Sequence, residues 1–264
     1  MKKIIALMLA LMLVFSLVAC GSNGATTATE GKLTMATNAQ FPPYEYYEGE
    51  EIVGIDAEIA GAIAEKLGLE LVIEDMEFDS IVEAVKSGKA DIGMAGMTVT
   101  PERQETVDFT ATYATGVQVV IVAEDNETIA GTNDDLALID ADGNILEGTV
   151  IGVQRNTTGD QYCTWYMEDL GLATVDRYSK GADAVQALLT GKVDCVVIDN
   201  EPAKAFVAEA EGLKILEAEF VIEDYACAMS KDNTELYEAV NATLEELIAD
   251  GTVQAIIDKY ISAE

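Results

Sequence analysis

The sequence predicts an α/β fold of two similar lobes, each a mostly parallel sheet flanked by helices, joined by a two-strand hinge. Three observations carry that expectation. Apolar runs of strand length alternate with short segments of helical periodicity, the order that produces parallel sheets with right-handed crossovers. SGKADIGMA at 87–95 and TGKVDCVVI at 190–198 align without gaps at a separation of 103 residues, each preceded by a short segment of helical spacing, VEAV or ADAVQALL. Residues 117–123 and 225–229 are further strand-like runs, one placed to cross to the second lobe and the other to return.

The elements follow in order. Residues 33–37 read as the first strand, and a loop, FPPYEYYEGEE, separates it from a helix capped by Asp56. That helix carries Ile59, Ile63 and Leu67 at four-residue spacing and ends at Gly68. Residues 69–73 form the next strand. Asp79 caps a short helix bearing Ile81, Val82 and Val85, which Gly88 stops before a strand at 90–94. Thr100 and Pro101 have the N-cap and first-turn chemistry of another helix start. In the second half, a strand at 150–153 leads to a helix start at Thr157 to Asp160, and a strand at 193–198 delivers Asp199. Helices at 235–249 and 252–260 are broken at Gly251. The resulting division is 32–112 with 226–264 as the first lobe, 118–221 as the second, and 113–117 with 222–225 as the hinge.

Residues 1–22, MKKIIALMLALMLVFSLVACGS, read as an export leader over 1–19. Its apolar run from Ile4 to Ala19 is 16 residues, short of the roughly 20 a membrane-spanning helix needs. Leu17-Val18-Ala19-Cys20 resembles the lipobox of bacterial lipoproteins, which implies acylation of the Cys20 thiol and a chain anchored to the bacterial cell membrane outside the cytoplasm. Residues 20–31 then form the lipidated cysteine and a small, polar, flexible tether.

The formal charge of −33 argues against nucleic acid and anionic membrane surfaces as partners, because both reward Lys and Arg. The chain has no histidine, which removes the usual general base of Ser and Cys hydrolases and the commonest metal ligand. Three cysteines remain after Cys20, without CxxC spacing, so neither a zinc site nor a disulfide framework is indicated. Cys195 and Cys227 either pair or sit as buried thiols; free cysteine behaves as a small hydrophobe, which favours the second. The AlaAspGlyAsn run at 141–144 reads better as a hairpin turn than as a calcium loop. No metal and no cofactor is called for.

Arg103 is one of only three arginines. It stands in the first turn of the helix that Thr98, Thr100 and Pro101 lead into, where a planar guanidinium and free backbone N–H groups suit a carboxylate; a surface salt bridge is the competing reading. Thr157, Thr158, Gly159 and Asp160 make a second helix start of the same kind at the matching point of the other half. Asp199 either delivers a carboxylate to the cleft-facing edge of its sheet or caps the helix over 201–209. Phe41, Tyr44, Tyr46, Tyr47 and Phe78 place aromatic side chains at carboxyl ends of strands, where ligands bind in open α/β sheets.

Taken together, ATNAQFPPYEY at 36–46, IVGIDAEIAGAIAEKLG at 52–68, MEFDSIVEAVKSGKADIGMAGMTVTPERQETVDFT at 76–110, GVQRNTTGD at 152–160 and DCVVIDNEPA at 194–203 resemble the polar amino-acid substrate-binding proteins of bacterial ABC importers. The resemblance implies a two-lobed periplasmic-binding-protein fold that closes on one amino acid and docks on a membrane permease. It implies that Arg103 holds the ligand α-carboxylate, with Thr98 and the backbone at Thr158. Asp199 and the Gly96 carbonyl would take the α-ammonium. Phe41 and Phe78 would sandwich the side chain, with Asn38, Ala95, Met97 and Gln154 around its tip and Thr157 at the helix start beside it. Asn38 stands where many relatives have the aspartate that pairs with a lysine or arginine side chain, and Glu45 is the available substitute. Asn156 replaces the family's usual glycine.

The leading expectation is therefore a monomeric binding protein, not an enzyme, that captures a polar or cationic L-amino acid. A dehydratase-like enzyme on the same fold would use Glu45 as its acid. An amino-acid sensor lipoprotein is the third class.

Overall fold

The first apolar run folds as β1 (Lys32–Thr37), buried from Leu33 onward; the computed structural model describes residues 26–261. The leader, Cys20 and the start of the tether lie outside the described residues. The aromatic loop forms a three-stranded sheet of β2 (Gln40–Phe41), β3 (Glu45–Glu48) and β4 (Glu51–Val53). It leads into α1 (Ile55–Leu67), whose Ile55, Ile59 and Ile63 are fully buried and whose end is closed by Gly68 in the left-handed region.

The N-cap of α1 is Gly54, and the expected Asp56 cap does not form. Asp56 turns inward, where its Oδ2 accepts from the Gly96 N–H and the Tyr113 hydroxyl, both at 2.9 Å. Water can satisfy an exposed helix terminus but not these buried donors, so the tertiary partners win.

β5 (Glu70–Asp75) pairs in parallel with β1. A 3-10 turn at Phe78–Ser80 then enters α2 (Ile81–Lys86), so Asp79 lies inside the turn and Ser80 takes the N-cap position. After β6 (Ile92–Gly93) comes α3 (Pro101–Thr106), where Thr100 Oγ1 accepts from the Arg103 N–H at 3.2 Å as its N-cap. β7 (Val107–Ala123) is 17 residues long and extends well before the predicted run, since its first half is buried only at every third residue and has no apolar block.

The second lobe contains a small hairpin of β8 (Gly131–Thr132) and β9 (Leu138–Ile139), then β10 (Thr149–Gln154) and α4 (Thr158–Cys163), which continues as a π-helical turn at Thr164–Glu168. β11 (Ala173–Tyr178), α5 (Gly181–Leu189), β12 (Cys195–Asp199) and α6 (Asn200–Glu209) follow. β13 (Leu213–Ser230) returns to the first lobe, and α7 (Thr234–Ala249) and α8 (Thr252–Tyr260) complete it. Leu236, Val240 and Leu244 of α7 share one core cluster with Ile55, Ile59 and Ile63 of α1.

Eight strands form one sheet in the order β11, β10, β12, β7, β13, β6, β1, β5. The outer strands pair in parallel within each lobe, while β7 and β13 run antiparallel through the centre from Val107↔Ser230 to Ala123↔Leu213. Cys163, Cys195 and Cys227 are free and buried, the thiol reading rather than the paired one. No helix among the described residues is long and apolar enough to cross a membrane.

The duplicated Gly-Lys-x-Asp does the same job in both lobes. Asp91 N–H donates to the Thr34 carbonyl at 2.9 Å while its carboxylate accepts from the Thr34 N–H at 2.7 Å. Asp194 N–H donates to the Val150 carbonyl at 2.8 Å and its carboxylate accepts from the Val150 N–H at 2.7 Å. Each aspartate thus fastens the strand after a short helix to its parallel neighbour, β6 to β1 and β12 to β10. Asp91 also accepts from Ala28 N–H at 2.6 Å. Hydrogen bonds to a charged group contribute about 1.5–3 kcal/mol each. Asp91→Ala should therefore lower the thermal midpoint more than Asp194→Ala, a difference that calorimetry reads directly.

Candidate functional site

Where the lobes face each other, the carboxyl ends of β1, β6, β10 and β12 surround a narrow cavity with little open space. Its walls are Asn38, Phe41, Glu45, Phe78, Ala95, Gly96, Thr98, Arg103, Gln154, Thr157, Thr158 and Asp199. Every residue that the family resemblance assigns to this site is among them except Met97, whereas Tyr44, Tyr46 and Tyr47 do not line it. The Met97 side chain is fully buried and packs in a cluster with Ala36, Ile81, Val85 and Val107, on the core side of the loop rather than the cavity side.

Arg103 is 7 % exposed although it sits in a short helix, so it is no surface salt bridge. Its Nη1 donates to the Thr98 carbonyl at 2.8 Å and its Nη2 to the Asn156 carbonyl, in the other lobe, at 3.1 Å. The guanidinium lies 5.4 Å from the centre of the Phe78 ring. Among the described residues it makes no ion pair, and these two bonds use only part of its five N–H donors. Burial pushes Arg103 below the ordinary arginine range, opposed by the charges of Glu223 and Asp199 nearby.

Asp199 occupies the N-cap position of α6 but makes no capping bond with its side chain. Its Oδ2 accepts from Gln118 Nε2 at 2.7 Å and its Oδ1 from the Tyr225 hydroxyl. β12 and β7 put Asp199 and Gln118 directly opposite each other, which is why the carboxylate stays in the sheet. Burial, reinforced by the negative charge of Glu223, raises the Asp199 carboxyl to about 7.

Three site residues escaped the sequence reading: Gln118, Glu223 and Tyr225. Glu223 Oε2 accepts from Thr98 Oγ1 at 3.1 Å, Thr158 Oγ1 at 2.8 Å and Gln118 Nε2 at 3.0 Å. One oxygen of a central strand therefore gathers hydroxyls from both lobes. The legible trace was Gln118, a lone amide inside the apolar run VQVVIVA; Glu223 and Tyr225 have no local signature. Gly116 on β7 is a spatial requirement, because a Cβ there would collide with the Tyr225 hydroxyl. Gly96 adopts φ +52°, and a Cβ on it would stand 2.7 Å from Phe41 Cε1, so the aromatic wall depends on its absence.

Further contacts hold the lobes together. Gln154 Nε2 donates to Asn38 Oδ1 at 3.0 Å, and Gln161 Nε2 to Glu102 Oε2 at 3.2 Å. At the base of the cavity Glu45 is fully buried with neither carboxyl oxygen hydrogen-bonded to a donor. Thr157 serves as N-cap of α4, accepting from Asp160 N–H at 3.2 Å, while its hydroxyl donates to the Gln154 carbonyl. The arrangement offers an anion partner in Arg103, a cation partner in Asp199 and an aromatic wall in Phe41, all within one small enclosure.

Known proteins share this build. Residues 33–263 match the family model described as bacterial extracellular solute-binding proteins, family 3. The arginine-binding extracellular protein ArtP of Bacillus subtilis (strain 168) is 32% identical over 268 residues, covering 100% of both chains. An ancestral arginine-binding protein solved with arginine superimposes with a TM-score of 0.79 at 37% identity, covering 88% of this chain and 99% of the other. An ancestral arginine-binding protein solved with glutamine also gives 0.79, at 36% identity over 89% and 100% of the two chains. With that coverage and the two-lobed α/β fold they share, the chain belongs to the bacterial extracellular solute-binding proteins of family 3 and is an amino-acid-binding component of ABC transport.

Proposed function

We propose that the protein captures a polar or cationic L-amino acid between its lobes outside the cytoplasm and delivers it to an ABC permease. The observation that carries this reading is a buried arginine, Arg103, that makes no ion pair among the described residues and faces the same cavity as the Asp199 carboxylate. A zwitterion supplies both missing charges at once. Leaving either charge unpaired in such a site costs about 3–5 kcal/mol.

In this reading the α-carboxylate lies against Arg103 and the Thr98 and Thr158 region, and the α-ammonium against Asp199. The side chain runs past Phe41 toward Asn38, Gln154 and Glu45. Phe78 backs the Arg103 guanidinium and so acts on the carboxylate end of the ligand. The unpartnered oxygens of Glu45 favour a side chain that ends in N–H donors, which fits relatives solved with arginine and with glutamine. Closure bends the chain at 113–117 and 222–225, moving 32–112 with 226–264 against 118–221. Lipid at Cys20 keeps a monomer at the membrane where the permease is.

Isothermal calorimetry against the twenty amino acids tests the reading. At least one should bind with 1:1 stoichiometry and be recovered chemically unchanged, and formation of a new product would favour the dehydratase-like alternative. Arg103→Ala and Asp199→Ala should each weaken that ligand by about 100-fold or more with the melting profile of the empty protein retained. Unchanged affinity in both would remove the site assignment.

Glu45→Gln separates ligand classes. It should weaken arginine by at least about tenfold while altering glutamine less, because only the first requires a full negative charge in the wall.

A further inference from the structure

Glu45 of β3 and Asp56 of α1 are both fully buried, and they lie against each other. Asp56 spends its Oδ2 on Gly96 N–H and the Tyr113 hydroxyl, while its Oδ1 and both oxygens of Glu45 have no other donor. Among the described residues no compensating cation faces the pair: Asp75 of β5, Asp199 of β12, Tyr44, Tyr113 of β7 and the Cys227 thiol of β13 are the titratable groups that face the two carboxyls. Asp56 N–H donates to the carbonyl of Tyr44, the neighbour of Glu45, at 2.9 Å, and two sealed carboxyl groups brought together in this way do not both ionise, so the empty protein keeps one proton between them. Burial accordingly pushes Glu45 well above the usual carboxylate range and Asp56 up to about 6, with the shared bond stabilising Asp56 as the acceptor.

Resting on the proposed amino-acid site, we infer that the Glu45–Asp56 pair is a charge reader: a ligand with a cationic side chain displaces its proton, whereas a neutral ligand leaves the proton in place. The exchange balances simply. The Glu45 O–H bond breaks, the proton passes to solvent, and the Glu45 carboxylate then accepts an N–H of the guanidinium or ammonium that enters. The pair thus serves lysine-like and arginine-like ligands as an anion, and amide-bearing ligands as a neutral acid with a free carbonyl oxygen. One site can accept both classes without leaving a buried charge unpaired.

The pH dependence has a definite sign. The free pair binds its proton more tightly than the liganded pair, so between those two pKa values each unit of acidification weakens a cationic ligand about tenfold. Asp199, raised to about 7, also ionises when it meets an α-ammonium. That contribution is common to every amino acid and must be subtracted. Citrulline provides the subtraction, because it matches arginine in shape and backbone but carries a neutral ureido group.

Calorimetric titration near pH 7 in two buffers of different ionisation enthalpy, phosphate and Tris, counts the protons released. Arginine should release about one proton more than citrulline. The excess should vanish in Asp56→Asn, whose amide can keep accepting from Gly96 and Tyr113 while donating to an ionised Glu45, and also in Glu45→Gln. Should citrulline bind too weakly to titrate, the same loss is read from arginine alone by comparing the wild type with the two variants. Equal release for both ligands, or an excess that persists in either variant, overturns the charge reader while leaving amino-acid binding intact. Failure of every amino acid to bind overturns the proposed function itself.

Discussion

The antiparallel ladder between β7 and β13 belongs to both lobes at once, and the cavity is built upon it. Its register, from Val107↔Ser230 to Ala123↔Leu213, is broken at several points, including Tyr225 to Ala226. At such irregularities a strand bends and twists locally without losing the rest of its hydrogen bonds. The same segment carries Gln118, Glu223 and Tyr225. In the proposed closure, movement of the lobes passes directly beneath the polar groups of the site. Thr98 and Thr158 come from opposite lobes and meet on a single oxygen of Glu223, a meeting that holds only while the lobes are together. On that proposal, closure and assembly of the polar floor of the cavity are one event.

The charge content of the enclosure is lopsided. Among the described residues Arg103 is its one cation, set against Asp199, Glu223 and the Glu45–Asp56 pair. Such a site is poorly suited to a ligand with net negative charge and is relieved by one that brings extra N–H donors. It also explains why Arg103 is held by two backbone carbonyls and the Phe78 face instead of a carboxylate of its own: its full charge stays available. A preformed arginine–carboxylate pair would have to be broken before any ligand could bind.

How much of this was legible in the chain depends on where each residue's partners lie. Thr100, Pro101 and Arg103 were readable because capping involves neighbours three residues apart, and the structure keeps that bond. The Gly-Lys-x-Asp copies were readable as a repeat, although their physical task, tying Asp91 to Thr34 and Asp194 to Val150, is visible only in the sheet. Asp56 has the local signature of a cap and does not act as one, for the complementary reason. Its real partners, Gly96 and Tyr113, lie 40 and 57 positions away. Met97 was grouped with its neighbours in the motif, yet adjacent side chains in an extended loop point to opposite sides, and it went to the core.

Sequence by itself determined the alternation of strands and helices, the duplication of the lobes, the helix starts that present Arg103 and Thr158, and the family. These depend on local periodicity, on turn and cap chemistry and on motif spacing, all written in consecutive residues. Only the tertiary structure decided that Asp199 stays with Gln118 and Tyr225 rather than capping α6, that Glu223 joins the two lobes, and that Glu45 and Asp56 are sealed together with no cation among the described residues beside them. Those outcomes follow from strand register and burial, which bring groups distant in the chain to hydrogen-bond range and remove the water that would otherwise satisfy them.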